Sequence, residues 1–565
     1  FRRVLFRSGS FMKTFCRILS CLLVVLTLFA CVACGSSTTK KENPTTAPTT
    51  GTETGNTETG TATNTNTDTA TPSGELVKPV IPETFGGEKI RFYINGGAGN
   101  ASMSNIRSIA LVADADGEVP DPDYAVNQLV VTRNQTVETE LEVKIEVAKV
   151  GTMQGAVSDL GNILTAQDDV YDVLSLYQYF DLGLALGDTV GSFYNLENMP
   201  EGVTSYLNVK APYWSQALYN TLKYNNTAFF VTGDLCQATI GTLFVSFVNS
   251  KLWNQYADQI KNMQNSGGYS DIYDIVNNGY WTLDLIEELG ATVYADTNDN
   301  GKNDYKDRCS FIIYGDKSNC ATMDCLVAGF GLRYTTTSAD GMPVMAFDSE
   351  TNIDIYTRLQ RFMTDPNTTA VATYEEIVDE AGESLYIMDV FAQGNVLVTV
   401  NTLDKAEYYL QDMTDFWVMP LPMLSRDQYN PNSASKGYAT QLGDSVSQYA
   451  ICKFSGEERL PAITATLELM GYYSKLWITP KYYEALKIRY TRDDKNAAMI
   501  DMVREGIYSD FGLVWSRSLN NVSWELRTNY NPAKGIAKYA KLTQNKLNLA
   551  MTDLLVKIEE AYDIQ

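Results

Sequence analysis

Histidine is absent from all 565 residues. That removes the commonest general base near neutral pH, the Ser-His and Cys-His dyads and the usual nitrogen ligand for zinc, so proton transfer would fall to carboxylates, tyrosine or lysine. Positive charge is also short: 44 Lys and Arg against 68 Asp and Glu leave a formal net charge of −24. A phosphate backbone needs a basic surface, so nucleic acid is not an expected partner; the acidity reads as solubility. Cysteine is sparse, nine in all. Cys236, Cys309, Cys320, Cys325 and Cys452 lie in the body of the chain, an odd number without zinc-like spacing, and read mostly as buried thiols with a disulfide left open. Long apolar runs are missing too. The run at 22–30 is shorter than the roughly 20 residues a bilayer span needs.

Tyrosine is what the chain has in plenty, with 35 residues. Its flat apolar face and single hydroxyl suit a surface that holds sugars or peptides, although any one tyrosine is more often a half-buried packing residue.

Residues 1–8 (FRRVLFRS) translate the end of a common sequencing adapter, and 1–11 are set aside as an assembly artefact. From Met12 the chain reads as a signal peptide, 12–33, with Lys13 and Arg17 ahead of the short apolar run. Ala33-Cys34-Gly35-Ser36 resembles a bacterial lipoprotein box, which makes Cys34 the lipidated residue, with Cys31 as the second candidate. Through about residue 83 the chain is dominated by Thr, Gly, Asn, Glu and Pro, which bury too little apolar surface to offset ordering entropy. A lipid, a tether and a globular body describe a protein held on the outer face of a membrane.

The body is organised around FFVTGDLCQATIGTLFVSFVNSKLW, 229–253. Two apolar runs, 229–232 and 242–249, read as buried strands joined by a crossing between two α/β lobes, which puts Gly233 and Asp234 at a hinge beside a cleft. Before it, 87–95 alternates as a strand, 123–141 has helical spacing and 143–147 alternates again, a β-α-β order that 168–176 repeats. The aromatics Tyr177 and Tyr179 follow that strand's C-terminal end, where ligands sit in open α/β sheets. Trp281 opens a helix with Thr282 as N-cap, and is expected to pack. The strand GNVLVTV is expected to cross back to the first lobe. The apolar run 416–423, broken by prolines, suits an edge strand near a hinge. The last third reads as helical.

Residues 296–307 place oxygen side chains at loop positions 1, 3, 5, 9 and 12 with Gly301 at position 6. Asp296, Asn298, Asn300, Asp304 and Asp307, with the Lys302 carbonyl, form a candidate structural Ca²⁺ loop. Asp stands where Glu is usual, and an Asx-rich turn without metal is the alternative.

KIRFYIN, TRNQTVETELEVKIE, DVYDVLSLYQY, FVNSKLW, GYWTLDLIEEL, GNVLVTV, DFWVMPLPM and GDSVSQYAI occur in an order that resembles the extracellular solute-binding proteins of carbohydrate ABC importers, the group that includes maltose-binding proteins. The resemblance covers 87 to the C-terminus. It implies a two-lobed α/β fold of the type II periplasmic-binding kind, with lobe 1 at 84–236 and 394–455, lobe 2 at 237–393 and 456–565, and hinges near 233–240, 394–400 and 452–458. It implies a sugar or oligosaccharide held between the lobes and handed to ABC permease subunits, with no catalysis. By position, Tyr177, Tyr179, Asp234, Asp444 and Trp515 are the ligand-binding candidates, and Tyr213 and Trp214 are further ones that more often pack. A peptide or another solute on the same scaffold is the alternative. A carboxylate glycosidase would need two acids flanking the bond, and no such pair stands out.

Overall fold

The computed structural model describes residues 76–96, 100–114, 117–178, 182, 189–315, 321–339, 341–365, 369–372, 376–443, 445–490, 494–529 and 535–562. All of them belong to one compact unit.

Two sheets carry the fold. The first has four strands in the order β11-β3-β1-β2, with β1 Glu88–Asn95, β2 Val143–Gly151, β3 Val173–Tyr177 and β11 Ser447–Ile451. Its first three strands are mutually parallel, and β11 runs antiparallel beside β3. The second has five strands in the order β10-β4-β9-β5-β8, with β4 Phe244–Asn249, β5 Cys309–Tyr314, β8 Thr369–Ala372, β9 Val396–Thr402 and β10 Phe416–Met419. There β5, β8 and β9 are parallel, while β4 is antiparallel to both β9 and β10. A small ribbon, β6 Thr335–Thr337 and β7 Pro343–Met345, completes the strands of the described residues. The fold is thus the mixed α/β, two-sheet architecture expected.

Strands β3, β4, β5 and β9 inside the sheets, and the edge strand β11, are buried on both faces: every one of their residues is buried. Strands covered by helices on both sides lose polar/apolar alternation and read as apolar runs. Two apolar clusters result, each holding side chains from both sheets: Tyr93, Leu174, Val248 and Phe311 in one, Phe92, Val173, Phe247 and Ile312 in the other.

Several sequence expectations meet the structure closely. Helices span Ala125–Leu141, Glu350–Thr364, Leu460–Tyr473, Thr479–Tyr490, Asp494–Glu505 and Ile536–Ala561. Thr282 caps the helix Leu283–Val293 by accepting the Leu285 N–H at 3.4 Å. Trp281 is fully buried with its indole N–H on the Pro420 carbonyl, so it packs as expected. β10 is an edge strand, ended by Pro420.

Two expectations need correction. GNVLVTV does not return to the first sheet. β9 lies inside the second, between β4 and β5, where every one of its residues is buried. The stretch 394–400 is therefore no hinge, and β10 also lies in the second sheet, so the segment 394–419 belongs with it. Residues 229–232, expected as a strand, touch β11 through one bridge only, Val231 to Tyr449. Their neighbouring backbone groups go elsewhere, Ala228 C=O to the Leu196 N–H and Thr232 C=O to the Ser215 N–H.

Candidate functional site

The chain leaves the first sheet at Val231 and enters the second at Phe244; it returns from Met419 to Ser447. The two crossings run alongside each other. Leu243 bridges Leu442, and the Phe244 N–H donates to the Gln441 carbonyl at 3.2 Å. The returning segment enters β11 at Ser447, opposite Tyr177, the last residue of β3. On the other side β4 begins at Phe244, opposite Thr402 at the end of β9. The C-terminal ends of β1, β2 and β3, and of β5, β8 and β9, therefore all face the side of their sheets on which the crossings run, with β3 and β9 nearest. In open α/β sheets that is where ligands bind.

Gly233 is what the crossing requires. A Cβ there would lie 2.1 Å from the Tyr213 carbonyl oxygen, so no side chain fits this approach. The next residue fixes the same contact, with the Asp234 N–H donating to Tyr213 O at 2.8 Å. The Asp234 carboxylate, 9% exposed, sits 3.2 Å from Lys475 Nζ and 3.8 Å from an Arg504 guanidinium nitrogen. Lys475 follows the Leu460–Tyr473 helix, which packs on β1 and on Ala125–Leu141. Arg504 ends the Asp494–Glu505 helix, which packs on β10. One carboxylate thus joins a cation from the side of each sheet. A cavity of about 90 Å³ opens there, lined among others by Trp214, Gln216, Asp234, Lys475, Arg504 and Glu505. An amide and groups of both charges can bond a ligand's hydroxyls, because buried hydroxyls must be hydrogen-bonded.

Behind the cavity a buried carboxylate sets the wall. Glu468, on the Leu460–Tyr473 helix, accepts from the Asn208 N–H at 3.0 Å, the Trp214 indole at 3.3 Å and the Tyr213 hydroxyl. Burial pushes its carboxyl up to about 7, against the three donors that favour the charged form. Arg133 is fully buried without a carboxylate partner. Its guanidinium donates to the Ser108 and Ile109 carbonyls, both at 2.8 Å, and to Ser474 Oγ at 3.1 Å. It caps the C-terminus of the helix Asn100–Ile109, where the helix dipole favours a cation. Burial nevertheless lowers its pKa to about 9. Ser108 Oγ in turn accepts the Gln237 N–H of the crossing at 2.9 Å, so this arginine ties the crossing to the start of 474–478.

Beside the same crossing, Arg107 donates to the Tyr482 hydroxyl at 3.3 Å and lies over its ring, while its carbonyl accepts from the Gln237 amide at 3.3 Å. The Tyr408 phenol beside Arg107, though 36% exposed, is pushed up by its desolvated part and by Glu407, despite that cation. These groups come from the first sheet's side, the C-terminal helices and the segment after β9.

The structure treats the candidates unequally. Asp234 lines the cavity. Tyr177 ends β3 at the crossing and is 5% exposed. Trp515 is corrected: it is fully buried, against Phe230 and Phe511, because its neighbours are core aromatics, so it offers no face to a ligand. Tyr213 and Trp214 are 2% exposed and pack as expected, although Trp214 also borders the cavity. Tyr179, Asp444, Cys34 and Cys320 lie outside the described residues. Cys236, Cys309, Cys325 and Cys452 are buried free thiols. The expected hinge at 452–458 connects β11 to the Leu460–Tyr473 helix, both on the first sheet's side. Beyond that helix the chain continues through 474–490, and the Asp494–Glu505 helix then packs on β10 of the second sheet. Sequence reasoning missed Lys475, Arg504, Glu468 and Arg133. Only Glu468 carried a signal, a lone carboxylate in the apolar helix TATLELMGYY.

A larger cavity, about 470 Å³, is lined by Asn195, Lys453, Glu457 and Tyr562 among others. It lies beyond the Ile451 end of β11, at the N-terminal ends of the parallel strands, and is the weaker candidate despite its size.

In the 296–307 loop, the Asp296 carboxylate accepts the Asn300 and Gly301 N–H groups, Asp307 accepts the Thr297 N–H, and Asp304 accepts both the Asn298 and Asn300 amides. Gly301 has the positive φ, +73°, that position 6 demands. Among the described residues no three carboxylates, cysteines or histidines converge as a metal cluster. The side chains as they stand satisfy one another as Asx turns do.

No family model and no curated protein matches the chain. Solved structures do, at low identity. An ABC transporter solute-binding protein from Thermotoga lettingae, bound with α-D-tagatose, is 12% identical at a TM-score of 0.47, covering 82% of this chain and all of its own. The cyclic α-maltosyl-1,6-maltose binding protein of Arthrobacter globiformis is 12% identical at 0.49, covering 84% and 99%. UgpB from Mycobacterium tuberculosis, in complex with glycerophosphocholine, is 14% identical at 0.48, covering 83% and 100%. Among the described residues no helix is long and apolar enough to cross a membrane.

Proposed function

We propose that this protein is a solute-binding protein: it captures a sugar or oligosaccharide at the crossings between its two sheets and delivers it to the permease of an ABC importer. The observation that carries the reading is that the C-terminal ends of six parallel strands, three from each sheet, face the side on which the paired crossings run. Loops from both sheets then reach one ligand, and a ligand touching both favours the closed form. Asp234, with Lys475 and Arg504 beside it, is the described residue best placed to contribute, and Tyr177 borders the same region; Tyr179 and Asp444 remain proposed with them. The protein binds without transforming its ligand. Lipid on Cys34 and the tether that follows would hold it at the outer face of the membrane. The 296–307 loop is proposed as a stiffening Ca²⁺ site, tested by melting with calcium and with chelator.

The test of the main reading is a thermal-shift panel of mono- and oligosaccharides, short peptides and glycerophosphodiesters, with mass spectrometry of each mixture. At a hundredfold excess over Kd, a ligand adds about 2.7 kcal/mol of stability. A shift with intact sugar supports the proposal. Cleaved sugar would make the protein an enzyme, and a shift with peptide alone would change the cargo.

A further inference from the structure

The C-terminal helix Ile536–Ala561 buries Ile536, Ala540, Leu547, Met551, Leu554, Leu555 and Ile558 against the body. Its opposite face is not purely polar. Leu542 is 73% exposed, Leu549 69% and Val556 41%, and the first two are the most exposed leucines among the described residues. The three are spaced seven apart, so they form one stripe along the middle of the 26-residue helix, from 542 to 556. Asn545 and Thr552, both exposed, fall between them at the second position of a heptad seam.

Charge along the helix is asymmetric. The N-terminal half carries Lys538, Lys541 and Lys546 and no acid; the C-terminal half carries Asp553, Glu559 and Glu560 with Lys557. A parallel pairing of two such helices would set lysines against lysines. An antiparallel pairing sets the basic half of each against the acidic half of the other.

We infer that this stripe is an interface for a second copy of the same chain, two C-terminal helices packing antiparallel about a two-fold axis at Leu549. Leu549 then meets its own counterpart and Leu542 meets Val556 at each end. Lys546 of each copy flanks the seam beside Asp553 of the other, so the pair forms twice. An isologous contact of this kind closes on itself and does not propagate. The polar Asn545 and Thr552 limit its strength and fix its register, as polar seam residues do in coiled coils. The stripe lies on the outer face of the helix, away from the crossings, so two-fold pairing and solute capture are separate properties.

Sedimentation velocity of the whole chain across a wide concentration range is the test, because a seam this short gives a concentration-dependent dimer. Leu549→Glu should leave a monomer with unchanged melting temperature, since that side chain is exposed. Lys546→Glu should weaken the dimer at least tenfold, and Lys546→Glu combined with Asp553→Lys should restore it. Under mild oxidation, Leu542→Cys mixed with Val556→Cys should cross-link, whereas Leu542→Cys alone should not. A wild-type monomer at every concentration overturns the inference. So does a dimer indifferent to Leu549→Glu, or one in which Leu542→Cys cross-links to itself.

Discussion

Two aspartates in this molecule each hold two cations from distant parts of the chain, and they hold them differently. Asp172, at the start of β3, is fully buried. It accepts the Arg91 N–H at 2.7 Å and two Arg91 guanidinium nitrogens at 3.1 and 2.8 Å, and it pairs with Arg459 at 2.5 Å. Arg459 also reaches Glu88 at 2.8 Å, and the hydrogen bond to Asp172 is the main cause that raises the Arg91 pKa. Asp234, at the crossing, has its cations at 3.2 and 3.8 Å, and they are 24% and 34% exposed. The first arrangement is saturated and remote from the strand ends where ligands bind; it clamps an edge of one sheet. The second is loose, spans both sides and borders a cavity. Partners held so loosely can be exchanged for a ligand's hydroxyls or re-formed as the crossing bends.

Breaking the clamp should have the largest effect. Asp172→Asn removes the buried carboxylate that both arginines share, leaving Arg91 with Asp169 and Arg459 with Glu88, and should cost roughly 3 kcal/mol, read by urea denaturation, while solute affinity per folded molecule stays unchanged. A comparable loss of affinity would mean that the two aspartates are not functionally distinct.

Glu468 sharpens the contrast through pH. Its folded value, about 7, exceeds the ordinary 4.5 of the unfolded chain, so the folded state binds more protons between these values. Stability from this group is therefore present below about pH 4.5, falls as pH rises, and is lost above about 7, a change of about 3 kcal/mol. Glu468→Gln should flatten that slope in denaturation curves across the window. An identical slope in the variant would remove Glu468 as its source.

At the crossing itself, Gly233→Ala forces a Cβ against the Tyr213 carbonyl and should destabilise by about 2 kcal/mol. Because the displaced segment carries Asp234, the variant should also lose solute affinity at temperatures where it stays folded. Retained affinity would mean the crossing tolerates the shift.

Asp234→Asn should change stability least, within about 1 kcal/mol, because its cations remain solvated. It should nonetheless weaken solute binding at least tenfold. A folded variant that binds as well as the parent takes Asp234 out of the site.

The sequence announced most of the elements. Alternation in 88–95, the apolar runs of β3, β4 and β11 and the spacing of the C-terminal helices all appear where expected, since period and burial are local signals. Sheet membership was not local. GNVLVTV is equally apolar wherever it goes, and only its pairing with β4 and β5 assigns it to the second sheet. The loose latch was half legible: Gly233 and Asp234 stand out in a turn between apolar runs, but Lys475 and Arg504 are ordinary helical cations until the fold brings them 241 and 270 positions back to Asp234. Trp515 misled because an aromatic between irregular helices looks alike whether it faces a ligand or Phe230.

Hinge closure on a ligand is the claim on which the comparison rests, and small-angle X-ray scattering tests it most directly. With the sugar that gives the thermal shift, the radius of gyration should contract in the parent and in Asp172→Asn, and contract less in Asp234→Asn. A parent that binds its sugar with no change in radius would contradict the account, because the crossings would then be a rigid joint.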